Sequence, residues 1–133
     1  MSNIPVADAH CDFLYYMTQD GWDINRPTRN QAVALPYRKQ GGGKLLFFAA
    51  WVDMDMRKDC LQQALDMFDS YFTMMEENDV FVPLTKDYTP DGDKIATVLT
   101  VEGGESLNAA ISNVRLFHRL GVRAMTLTWN YSN

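Results

Sequence analysis

Residues Lys44–Val52 read Lys-Leu-Leu-Phe-Phe-Ala-Ala-Trp-Val, a strand-sized run with no charge after its first residue. A strand with one wet face alternates apolar and polar side chains, so a run apolar at successive positions is the pattern of a strand covered on both faces, as in a parallel sheet. Parallel neighbours need long crossovers, usually helices. The chain has the text for them. Asp59–Asn78 carries Leu61, Ala64, Leu65, Phe68, Tyr71, Phe72 and Met75 at three- and four-residue steps, an amphipathic helix. Its methionine and aromatic stripe reads as packing surface rather than as a cofactor box.

The same alternation continues on both sides. Ile4–Asp12 reads as a strand with Pro5 near its start, and Phe13–Thr18 as a helical turn or two. Gln19–Gly43 is a long connection rich in glycine and proline, with a short turn of helix within Ala32–Tyr37. Val80–Leu84 reads as a minor strand and Thr89–Gly92 as a turn. Ile95–Glu102 is a further strand stopped by Gly103-Gly104. Ser106–Leu120 repeats the helical period through Leu107, Ala110, Ile111, Val114 and Phe117, with Gly121 as its C-cap. Val122–Thr128 is the last strand. Four main strands alternating with helices predict an α/β fold with a parallel sheet and right-handed crossovers.

The chain has 133 residues, one domain's worth, and 47% hydrophobic against 22% charged residues is a globular balance. A closed eight-unit β/α barrel takes roughly 250 residues, so the chain cannot be a whole one. Twelve basic against seventeen acidic residues leave a net charge of −5 with no block of like charge, which argues against a nucleic-acid or anionic-membrane partner. No apolar run approaches the ~20 residues that cross a bilayer. The start of the chain lacks the basic and apolar regions of a secretory signal, so the expected location is cytoplasmic. Two cysteines, Cys11 and Cys60, make neither a disulfide scaffold nor a Cys-x-x-Cys motif and are expected as reduced thiols.

In parallel α/β folds the reactive groups gather at the carboxyl ends of strands. His10 and Asp12 lie two apart at such an end, so their side chains leave one face while Cys11 points the other way. They read either as a two-ligand metal clamp or as a histidine hydrogen-bonded by a nearby carboxylate. Glu102 closes a run of seven uncharged residues. It is either solvated at the sheet edge or aimed into a site, where its two oxygens could bridge two divalent ions. His118 lies in the last turn of a helix and reads as a surface or capping residue.

These endings, in order, resemble the membrane or renal dipeptidase family, the M19 metallopeptidases of the amidohydrolase-like barrel superfamily. Asp8-Ala9-His10-Cys11-Asp12 is similar to the family's Asp-Gly-His-Asn-Asp opening, and Gly41–Phe48 to its Gly-Gly stretch leading into the second strand. Val101-Glu102-Gly103-Gly104 resembles its Glu-Gly-Gly element, and Leu120–Asn130 its Leu-Gly-Val-Arg-x-hydrophobic-Thr-Leu-Thr segment.

The resemblance implies a TIM-type (β/α)₈ barrel with two zinc ions at its carboxyl-terminal mouth and hydrolysis of dipeptides. His10 and Asp12 would hold one zinc and Glu102 would bridge both. Tyr15 falls where the family places an aromatic at the substrate pocket. Trp129 stands where mammalian members carry a substrate-binding histidine and bacterial-type relatives a tryptophan, a change of substrate range more than of reaction. The family's remaining zinc ligands are two histidines from later strands, and its acid/base aspartate comes later still. Residues 1–133 are therefore expected as a single unit, the amino-terminal half of such a barrel, inactive alone. Two alternatives stand beside this one: a non-catalytic half-barrel that associates with itself, and another hydrolase of the superfamily.

Overall fold

The structure, a computed structural model, describes residues 4–55, 59–90 and 92–130. The elements run β1 (Val6–Cys11), α1 (Phe13–Asp20), α2 (Leu35–Gln40), β2 (Gly43–Trp51), α3 (Cys60–Glu77), β3 (Phe81–Pro83), β4 (Ile95–Glu102), a 3₁₀ turn (Gly104–Leu107), α4 (Ile111–Arg119) and β5 (Val122–Thr126). All strand pairings are parallel: β1 with β2, β2 with β4, and β4 with both β3 and β5. β3 takes the start of β4's edge, at Ile95–Thr97, and β5 takes its end, at Leu99–Glu102. The four long strands thus form an open sheet β1-β2-β4-β5, part of a (β/α) barrel, with β3 as a short filler. Among the described residues, β1 pairs only with β2 and β5 only with β4.

The unbroken apolar run of β2 is a central strand, as its composition requires, and so is β4, whose Thr97 and Thr100 are buried with hydrogen-bond partners. Leu46, Phe48 and Ala50 of β2 and Ile95, Leu99 and Val101 of β4 turn one face into the core, against Ala64, Met67, Phe68, Tyr71 and Met74 of α3. Phe48 is fully buried and meets Phe13, Tyr71 and Phe81 edge-on, with ring centroids 6.4, 6.0 and 6.2 Å away. Truncating a residue of this kind to alanine costs about 3–5 kcal/mol, so Phe48 is a principal anchor of sheet to helix. Asp59 caps α3 by accepting the Gln62 N–H at 3.1 Å. The side chain of Asn78 closes the other end by donating to the Met74 carbonyl at 2.9 Å. No helix among the described residues is long and apolar enough to cross a membrane.

Two expectations shift. The short helix predicted within Ala32–Tyr37 lies at Leu35–Gln40, because Pro36 sits in its first turn, where its missing N–H costs nothing. The single helix predicted over Ser106–Leu120 is two pieces. Asn108 and Ala109 adopt positive φ (49° and 53°), which ends the 3₁₀ turn and starts α4 afresh. Residues counted across that break no longer share a face. Phe117 is buried, at 4.9 Å edge-to-face on Phe68, whereas Ile111 is 74% and Val114 39% exposed. The predicted turn at Thr89–Gly92 contains Asp91, which lies outside the described residues.

Candidate metal centre

The register levels the strand ends. Trp51 stands opposite Glu102, and Glu102 opposite Thr126, so β2, β4 and β5 finish on one rim. β1 reaches the same rim through His10, with Asp12 one residue past its end. After Glu102 the chain does not leave β5: the Gly103 N–H donates to the Thr126 carbonyl and the Gly104 N–H to the Leu127 carbonyl, both at 2.9 Å. Gly103 does this at φ +100°, a conformation that side-chain-bearing residues rarely adopt. The two glycines therefore hold Glu102 at the rim.

There three side chains converge. Nε2 of His10 lies 3.2 Å from Oδ1 of Asp12 and 3.1 Å from Oε2 of Glu102. One ligand atom from each of the three falls within 4.8 Å of the other two. His10 and Asp12 are about half exposed, while the Glu102 side chain is 16% exposed. Burial raises the Glu102 carboxyl above the usual range; His10 pulls it back and the Asp12 charge pushes it up again. Cys11 faces the other way, into the core, where burial lifts its thiol to about 12.

The donor set suits a divalent cation. One imidazole and two carboxylates are the ligand types that zinc and similar ions take. Two carboxylates beside one partly buried imidazole leave negative charge that a cation would offset.

The family profile for membrane dipeptidase (Peptidase family M19) matches residues 1–133. The chain belongs to this family. Among curated relatives of this M19 chain, dipeptidase 3 of Rattus norvegicus is 26% identical over 140 residues, covering 99% of the chain and 28% of the relative. Dipeptidase 3 of Mus musculus is 27% identical over the same coverage. Among solved structures, the dipeptidase AC, a metallo peptidase of family M19, superposes with a TM-score of 0.76 at 23% identity, over 96% of this chain and 45% of its own. A metallo peptidase from Rhodobacter sphaeroides, liganded with a phosphinate mimic of the dipeptide L-Ala-D-Ala, gives a TM-score of 0.78 at 22% identity, over 98% and 47%. These two establish a shared fold. The M19 chain spans 28% of the length of the curated relatives and less than half of the solved chains.

A cavity of about 280 Å³ opens over the three ligand-type residues of the M19 chain, walled by Tyr15, Tyr16, Trp51 and Trp129. Tyr15 packs on Trp51 at 4.9 Å, and Trp51 meets Trp129 edge-on at 5.3 Å. The two substrate-pocket candidates, Tyr15 and Trp129, are thus brought together with His10, Asp12 and Glu102. Their link is Trp51, which sequence reading passed over because it sought polar strand ends. Its signal was available: Trp51 ends β2 as Glu102 ends β4. Tyr15 also donates to Oδ2 of Asp53 at 3.3 Å, and burial with that neighbouring charge raises its hydroxyl pKa. His118 is exposed in the last turn of α4 and is not one of the three converging side chains.

Proposed function

We propose that this chain carries the amino-terminal part of a zinc dipeptidase site, with His10 and Asp12 holding one ion and Glu102 bridging it to a second. The single observation that carries this reading is the convergence of His10, Asp12 and Glu102 at the strand-end rim. A divalent ion held by these residues would supply a bound water that ionises near neutral pH and a Lewis acid for the scissile carbonyl. The chain's own residues provide the rest of the environment. The low exposure of Glu102 keeps its carboxylate poorly solvated and so more responsive to a cation. Tyr15, Trp51 and Trp129 form a wall against which the body of a dipeptide packs, and they keep bulk water from that side.

His10, Asp12 and a shared Glu102 do not complete two four-coordinate ions, so the 133 residues by themselves are expected to turn over dipeptides poorly. The test is zinc content and dipeptide hydrolysis of the gene product with and without His10→Ala. Loss of both is expected, beyond the 10- to 100-fold typical of residues that only support a ligand. Unchanged zinc and activity would remove the assignment.

Self-association is the second reading, favoured by the outer edges of β1 and β5, each unpaired among the described residues. Such edges are templates for further pairing. Two copies would bring eight long strands, the number that closes a barrel.

A further inference from the structure

We propose that Asp8 and Arg38 are positioning residues that hold the irregular stretch of β1 from which His10 is aimed at Asp12 and Glu102. The inference rests on the reading of His10 as a ligand. Asp8 stands opposite Leu46 and Cys11 opposite Phe48, so three steps along β1 match two along β2. The stretch containing Ala9 and His10 is therefore a bulge, a device that re-aims a side chain at the expense of regular ladder bonds. Such a stretch needs support from outside the ladder.

Asp8 provides it. Its Oδ1 accepts the His10 backbone N–H at 3.2 Å, and its Oδ2 accepts from Nη2 of Arg38 on α2. The two side chains are only 25% and 18% exposed, so water screens the pair less than it would a surface ion pair. Nε of Arg38 is buried without a hydrogen-bond partner, which leaves the bond to Asp8 to orient the guanidinium. Gly43 gives the arginine its path. A Cβ at Gly43 would stand 3.3 Å from both Cβ and Cδ of Arg38 and 3.2 Å from its carbonyl oxygen. Gly43 pairs with Val6, so the path crosses the start of β2 directly beside β1. Asp8 and Asp12 flank His10 symmetrically in sequence and take different tasks: Asp12 joins the converging ligand atoms, while the charge of Asp8 is matched by Arg38.

The test uses the whole chain with Arg38→Ala and Asp8→Asn, measuring amide hydrogen exchange by NMR and Co²⁺ affinity by visible absorption, with His10→Ala as the control for site occupancy. The expected result has two parts. Exchange at the His10 amide accelerates at least about tenfold while the Phe48 and Val101 amides keep their rates, and Co²⁺ binds about 10- to 100-fold more weakly. Should Arg38→Ala fail to fold, Arg38→Lys, which keeps the charge and loses the planar fork, is expected to show the same local pattern at smaller size. Unchanged exchange at His10 overturns the proposal, as does faster exchange with unchanged Co²⁺ affinity. If the wild-type chain takes no Co²⁺ at all, the metal reading fails on its own account, and the His10 amide still decides whether Asp8 and Arg38 hold the bulge.

Discussion

The side chain of Gln63 holds the backbone of Asp53 at both of its polar groups: Oε1 accepts the Asp53 N–H at 3.0 Å and Nε2 donates to the Asp53 carbonyl at 3.1 Å. Gln63 is 1% exposed on the inner side of α3, and Asp53 lies just past the end of β2. The carboxylate of Asp53 accepts from the Tyr15 hydroxyl, so a buried amide on a helix sets the height of an aromatic ring at the cavity mouth.

Gln63→Leu keeps the volume and removes both bonds. Stranding a partly buried N–H and carbonyl is expected to destabilise the chain by about 1–3 kcal/mol, read as a lower urea midpoint at unchanged slope. A change within experimental error would mean that water takes over at Asp53.

Gly103→Ala separates two effects at one position. A new Cβ would lie 2.3 Å from Oε2 of Glu105, the movable end of a flexible side chain, but the φ of +100° cannot be relieved that way. The expected cost is about 1–3 kcal/mol from the backbone conformation, and adding Glu105→Ala should recover little of it. Full recovery in the double variant, measured by chemical denaturation, would show that the clash dominates instead.

Cys11 should be the slower thiol. Only the thiolate attacks a disulfide reagent, and burial pushes the Cys11 thiol to about 12, so at pH 8 almost none is ionised. Cys60 is only half-buried; its thiol is also raised, chiefly by desolvation. A colorimetric thiol assay on the native chain should find one slowly reacting group, with the second appearing only on unfolding. Two equal rates would contradict the buried placement of Cys11.

Light scattering tests the unpaired edges. With β1 and β5 each paired on one side only among the described residues, and Leu127 and Ile111 exposed at 66% and 74%, mass is expected to rise with concentration toward a dimer. A clean monomer at high concentration would remove the self-association reading.

Much of this was legible along the chain because it is local. Lys44–Val52 is apolar at consecutive positions after its lysine, and its double-sided burial is written in that composition. His10 and Asp12 share a face by the two-residue period of a strand, and Glu102 shows itself as the first charge after seven uncharged residues. The start of α4 is not legible, because Asn108 and Ala109 break the backbone inside what reads as one continuous period. Gln63 and Asp53 gave no signal: a glutamine on an apolar helix face and an aspartate after a strand mean little until folding puts them 3 Å apart.

What the residues determined unaided was the kind of fold and which side chains stand at strand ends, since periodicity and burial follow from each residue's own chemistry. Whether those ends meet was left to the tertiary structure. The distance between His10 and Glu102, ninety-two positions apart, depends on the β1–β2–β4 register, on a bulge, and on Asp8 gripping Arg38. Register and bulge are cooperative products of the whole packed sheet, and no local propensity specifies them.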